Sequence, residues 1–138
     1  MRDELLTVSE EIHAWVILPN HYHLLAVLDL GGFRERIRLL HSRLATAWNA
    51  VDNAKGRRVW YRFQDRQLRG ERHYFATLNY IHANPVQHGC VARADEWPWS
   101  SLPAYLAEHG RAEMRRIWRE YPVDKYGACW DEEPPVGS

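Results

Sequence analysis

The chain has 138 residues, 46% of them hydrophobic and 26% charged, with a formal net charge of zero at pH 7. That is enough chain for one modest core, and the balance excludes wholesale disorder. No apolar run is long enough to span a bilayer, so no membrane partner is expected. The two cysteines, Cys90 and Cys129, share no ligand spacing. A reducing cytosol is the simplest home for them. The opening MRDELLTVSEE lacks the basic-then-apolar order of a signal peptide.

Charge is unevenly spread. Between Arg36 and Arg72 there are ten Lys or Arg against three Asp or Glu, and between Glu120 and Ser138 five acidic residues against one Lys. A neutral total therefore still allows a basic surface able to meet nucleic acid. Solvated helix and strand faces explain the same counts equally well.

In chain order, residues 1–11 read as the end of a helix. Ile12–Leu18 is apolar and rich in β-formers, Pro19-Asn20 marks a turn, and His21–Leu28 reads as the returning strand of a hairpin. Phe33 to Val51 follows a helical period through Phe33, Ile37, Leu40, Leu44, Ala47, Trp48 and Val51. Asn53–Arg58 is a polar connection, and Val59–Leu68 is a candidate strand. A helix opens at Gly70-Glu71 and runs to about His82, with Asn84-Pro85 stopping it or sitting in its last turn. Gly89 marks a turn. Trp97–Ser101 reads as a compact loop with both tryptophans structural. Short helices follow at Leu102–Glu108 and 111–120, and the chain is loose from Asp131. Neither repeats nor an internal domain boundary stand out, so residues 1–138 read as a single domain. Its core is 12–101, with 102–138 a helical and acidic C-terminal extension.

Two groups of residues carry chemistry. In a strand, His21 and His23 point to the same face and can present two imidazoles to a divalent metal, with Tyr22 and Leu24 turned into the core. Two half-buried histidines with ordinary hydrogen bonds satisfy the same pattern. Tyr80 and Asn84, four apart on a helix, share a face. A tyrosyl oxygen can attack a phosphodiester when a cation activates the phosphorus, and an Asn carbonyl one turn on can join the metal shell. By spacing alone a packing role for Tyr80 is favoured over the nucleophile, and Tyr74 is the rival nucleophile on the same helix. His82 and His88 lie close in sequence, but His82 should point away from the Tyr80 face.

Three blocks in order change the weighing. Val16-Ile-Leu-Pro-Asn-His-Tyr-His-Leu-Leu25 resembles the metal-binding motif of the IS200-like tyrosine transposases, above all their REP-associated branch. Tyr80-Ile-His-Ala-Asn-Pro-Val-Gln-His-Gly-Cys-Val91 is similar to their nucleophile segment, and Glu96-Trp-Pro-Trp-Ser-Ser101 to the stretch that follows it. The resemblance covers residues 12–101.

It implies an α+β fold: a ferredoxin-like sheet with helices packed on one face. The family's first strand has no counterpart before the hairpin, which leaves open an N-terminally truncated remnant, a misplaced gene start or a fold completed by a partner. It implies His21 and His23 as the histidine pair, with Tyr22 in a slot the family gives to a hydrophobic residue. It also implies Tyr80 as nucleophile, Asn84 as third ligand, and Mg²⁺ or Mn²⁺ as the metal. The implied activity is cleavage and rejoining of single-stranded DNA next to hairpins through a 5′-phosphotyrosine link, in a bacterial cytoplasmic, nucleoid-associated protein. Arg57, Arg58, Arg62, Arg66 and Arg69 are the candidate backbone contacts, and Trp60 a candidate for stacking on a base. Transposase members act as dimers and the REP-associated branch often as monomers, so a homodimer stays open. Two other readings also stand: a catalytically inactive DNA-binding relic of the family, and an unrelated hydrolase that uses His21, His23 and a metal-bound water.

Overall fold

The computed structural model describes residues 1–9, 11–60 and 65–123. The order of elements is α1 (Arg2–Leu5), β1 (Glu11–Ile17), β2 (Tyr22–Val27), α2 (Leu30–Val51), α3 (Glu71–Gln87), a 3-10 turn (Ala94–Glu96), α4 (Leu102–His109) and α5 (Arg111–Glu120). The chain divides into two compact units that interleave in sequence. One comprises Met1–Ile12 and Ala26–Gln67, the other His13–Leu25 and Leu68–Ser138.

In the first unit, α2 carries the stripe that its periodicity promises. Phe33, Ile37, Leu40 and Leu44 are all buried. Asp29 starts the helix, its carboxylate accepting the Gly32 N–H at 3.2 Å, which satisfies an amide that the first turn leaves without a backbone partner. The stripe stops early: Trp48 and Val51, read from spacing as part of the buried face, are exposed. The helix is closed instead by polar side chains. Buried Asn49 donates to the Arg57 carbonyl at 2.8 Å and accepts from Arg57 Nε at 2.9 Å.

The candidate strand at Val59–Leu68 does not form among the described residues of that stretch, and Tyr61–Gln64 lie outside them. Its alternation was uneven, and β-propensity without a partner strand does not hold an extended segment in a ladder.

In the second unit the core brings together Ala14, Val16 and Leu18 from the first strand and its end, Leu25 from the second, Leu78, Tyr80 and Ile81 from α3, and Ile117 from α5. The hairpin is tight. Leu18 N–H donates to the His21 carbonyl at 2.8 Å across Pro19-Asn20, and so short a connection makes the pair antiparallel. The other edge of β1 is occupied by the Trp99–Ser101 segment. Ile17 N–H donates to the Trp99 carbonyl at 2.8 Å and Ser101 N–H to the Trp15 carbonyl at 2.9 Å, with a bridge between Val16 and Ser100. Trp97, read as structural, packs on the core and donates its indole N–H to the Ile17 carbonyl at 2.9 Å, whereas Trp99 is largely exposed. The fold is α+β, with one two-stranded sheet among the described residues.

Helix α3 runs past Asn84-Pro85 to Gln87, five residues beyond His82. Pro85 falls in the last turn, and the helix closes beyond it. Cys90 N–H reaches the Pro85 carbonyl at 2.8 Å and Gly89 N–H the Val86 carbonyl at 3.0 Å, with Gly89 at φ +70°. This paired closure needs a left-handed residue after the cap, a conformation glycine adopts without strain. The C-terminal region expected as an extension joins the core through Ile117, and Tyr121 and Val123 pack against that core.

Candidate active site

Strand β2 turns His21 and His23 toward α3. Leu25, on the same face, is buried in the core with Tyr80. This reverses the expectation that Tyr22 and Leu24 take the core side of the strand. Both are only partly covered, although burial still raises the Tyr22 phenol well above its ordinary value. The His21 and His23 rings meet edge-on with centroids 5.2 Å apart. His23 meets Tyr80 edge-on at 5.3 Å. His21 in turn meets His88 edge-on at 4.8 Å.

Tyr80 and Asn84 on α3 and His88 at its C-cap follow one another at steps of four, so each sits roughly one turn above the last. The strand places His23 against the start of that row and His21 against its end. Asn84 is fully buried between them in sequence. The three residues expected as metal ligands and the expected nucleophile therefore come from one strand and one helix of one compact unit. His88, which sequence reading noted but gave no part, joins the group. The repeated step of four from Tyr80 was the signal available for it.

The donor chemistry can be tested atom by atom. Nε2 of His21, Nε2 of His23 and Oδ1 of Asn84 are buried atoms that make no hydrogen bond, though each of these residues has other interactions. Buried polar atoms are almost always satisfied, and two imidazole nitrogens with an amide oxygen form a workable set for a divalent cation with open positions. Among the described residues no group of three His, Cys, Asp or Glu is placed to hold a metal.

Tyr74, the rival nucleophile, is engaged elsewhere, with its hydroxyl 2.8 Å from His13 Nδ1. His82 also points elsewhere, as expected. It is buried, its Nε2 lies 2.8 Å from Ser101 Oγ, and burial pushes its pKa down to about 4.

The expected DNA contacts fall in both units. Arg57 is held by Asn49 and by Asp52, the latter at 2.7 Å. Arg58 donates to the Trp60 carbonyl at 3.2 Å. Trp60 stacks on His41 with centroids 4.0 Å apart and 6° between planes, and lies tilted against Trp48. One face of that indole is thus already covered. Arg66 and Arg69 are exposed, and Arg62 lies outside the described residues. Arg57, Arg58, Trp60 and Arg66 belong to the first unit and Arg69 to the second.

The described residues thus set a histidine pair against a helix-borne tyrosine that has an amide one turn on. The chain is 33% identical over 124 residues to a REP-associated tyrosine transposase of Escherichia coli K12, covering 88% of this chain and 66% of that protein. It is 30% identical over 103 residues to a putative REP-associated tyrosine transposase of Haemophilus influenzae, covering 67% of this chain and 58% of that protein. The chain is thus homologous to the REP-associated tyrosine transposases, and spans about two thirds or less of the length of these relatives. No family model matches it, and neither does any solved structure. Among the described residues no helix is long and apolar enough to cross a membrane.

Proposed function

We propose that the chain cleaves and rejoins single-stranded DNA beside hairpins, with Tyr80 as nucleophile and His21, His23 and Asn84 holding Mg²⁺ or Mn²⁺. The hairpin strands are read as part of a ferredoxin-like sheet, and residues 1–138 as one functional domain. The observation that carries this reading is the packing of the His23 ring on the Tyr80 ring, in a chain homologous to tyrosine transposases.

The bound cation would supply charge to the phosphate being attacked. The protein's own part is positional. β2 and α3, packed in one core, hold the His23 ring against the Tyr80 ring, so less ordering remains to be done at the moment of reaction. The Tyr80 oxygen forms a bond to phosphorus as the bond to the 3′ oxygen breaks. The phenol proton ends on that oxygen as a 3′-hydroxyl, and the 5′ side stays on Tyr80 as a phosphodiester. A second 3′-hydroxyl reverses the step and joins new ends. Arg66 and Arg69 on exposed surface suit backbone contacts, with Arg57, Arg58, Arg62 and Trp60 as further candidates.

Tyr80 is only 3% exposed. That favours a second reading, a DNA-binding protein without cleavage. A denaturing gel separates the two. Full-length protein and its Tyr80→Phe variant are incubated with Mn²⁺ and labelled single-stranded hairpin DNA. A shifted band that needs the metal and Tyr80 is the expected result. Hairpin binding without a band supports the second reading, and a band surviving the substitution removes Tyr80 from the role.

A further inference from the structure

Asn20 closes the two-residue turn between the strands, immediately before His21. Its Oδ1 lies 2.6 Å from His21 Nδ1. An amide oxygen only accepts, so the ring nitrogen facing it must carry the hydrogen. Neutral imidazole has one N–H, which leaves Nε2 as the nitrogen with the lone pair. Nε2 is the buried atom of His21 that makes no hydrogen bond. The turn itself is held by the bond between Leu18 N–H and the His21 carbonyl, and the ring is bounded by the His88 and His23 rings at 4.8 and 5.2 Å.

We infer that Asn20 is a positioning residue: its side-chain oxygen holds His21 as the Nδ1–H tautomer and presents Nε2 as a metal-ready donor. The inference rests on the reading of His21 and His23 as a metal pair. An acceptor on the far nitrogen of a ligating imidazole fixes its tautomer and orientation and raises its basicity, and loss of such a partner weakens metal binding by about 10- to 100-fold. His23 is placed differently, its ring lying against Tyr80, so the two histidines are oriented by different means.

The test combines a spectrum with a titration. Long-range ¹H–¹⁵N spectra of histidine-labelled, metal-free protein read the tautomer of His21 directly. Calorimetric titration with Mn²⁺ alone reads affinity for the wild type, Asn20→Ala and Asn20→Asp. The expected results are an Nδ1–H signature for His21 in the wild type, Mn²⁺ affinity lowered at least about tenfold in Asn20→Ala, and recovery in Asn20→Asp, which keeps the acceptor. Asn20 is exposed in a turn, so both variants should fold. An Nε2–H signature in the wild type, or equal Mn²⁺ affinity of the wild type and Asn20→Ala, overturns the role of Asn20 alone. Wild-type protein that shows the Nδ1–H form yet takes up no Mn²⁺ overturns the metal reading, and the positioning role with it.

Discussion

The ring of His23 meets the ring of Tyr80 edge-on, with centroids 5.3 Å apart and planes at 76°, so the expected metal ligand and the expected nucleophile are in contact across 57 residues of sequence. Replacing His23 removes one of two imidazole donors together with the ring packed against the phenol. In the proposed reaction His23→Ala should lower covalent adduct formation by at least about a hundredfold, roughly 2.7 kcal/mol of transition-state stabilisation. The comparison is single-turnover adduct yield at saturating Mn²⁺, with folding checked by circular dichroism. Undiminished yield would separate His23 from catalysis.

Tyr74 shares the helix with Tyr80 but spends its hydroxyl on His13. Tyr74→Phe should leave adduct formation unchanged and cost about 1 kcal/mol of stability, the usual net worth of one hydrogen bond. Urea unfolding and the denaturing gel, run on the same preparation, read both quantities. Loss of the adduct at intact stability would make Tyr74 the nucleophile.

Ser101 stitches three pieces together. Its Oγ accepts from Trp15 N–H at 2.9 Å, lies 3.2 Å from the Trp15 carbonyl, and is 2.8 Å from His82 Nε2. One hydroxyl has one hydrogen to give and two lone pairs to offer. It accepts from Trp15 N–H, and its hydrogen goes to the Trp15 carbonyl or to His82 Nε2 according to the imidazole tautomer. Ser101→Ala should destabilise the protein by about 2 kcal/mol, because it strands buried His82 as well as removing bonds at the β1 edge. A shift in urea midpoint below that expected for about 0.5 kcal/mol would contradict this account.

His82 sets a pH dependence of stability. Its folded pKa is depressed to about 4 from 6.5 by burial. Below 6.5 the unfolded chain takes up a proton there that the folded protein refuses until about pH 4. Stability is therefore fully present above pH 6.5 and lost as the pH falls toward 4, by up to about 3 kcal/mol. His82→Gln should flatten the slope of unfolding free energy between pH 6.5 and 4. An unchanged slope would assign the pH dependence to other groups.

Asn79 caps the end of α5 from α3. Its Nδ2 donates to the Ile117 carbonyl at 3.1 Å and the Tyr121 carbonyl at 2.9 Å. With the side chain fully buried, Asn79→Ala should cost about 2–3 kcal/mol, since the Tyr121 carbonyl and the Ile117 carbonyl, which also accepts from Tyr121 N–H, both lose a buried donor. Thermal unfolding measures it.

Several features were readable from local pattern. The two-residue period of a strand put His21 and His23 on one face, the helical period put Tyr80 and Asn84 on another, and Pro19-Asn20 and Gly89 marked turns that form. Each of these is a relation between residues close in the chain, where backbone geometry alone decides which side chains are neighbours. What the pattern could not carry was which face meets which. Both faces of β2 offer apolar residues, and burial of Leu25 beside Tyr80 turned the histidines toward α3. The same burial brought His88 to His21. The hydrogen bonds between β1 and residues 99–101 made an edge pairing of what reads as a loop. Trp60, isolated in the sequence, acquired its stacking partner His41 only through the course of the chain after α2. Such contacts are selected by the removal of apolar surface from water, which depends on area and shape but not on sequence separation. The sequence by itself therefore determined the chemical groups of the site and their local spacing, and the tertiary structure decided how those groups are brought together.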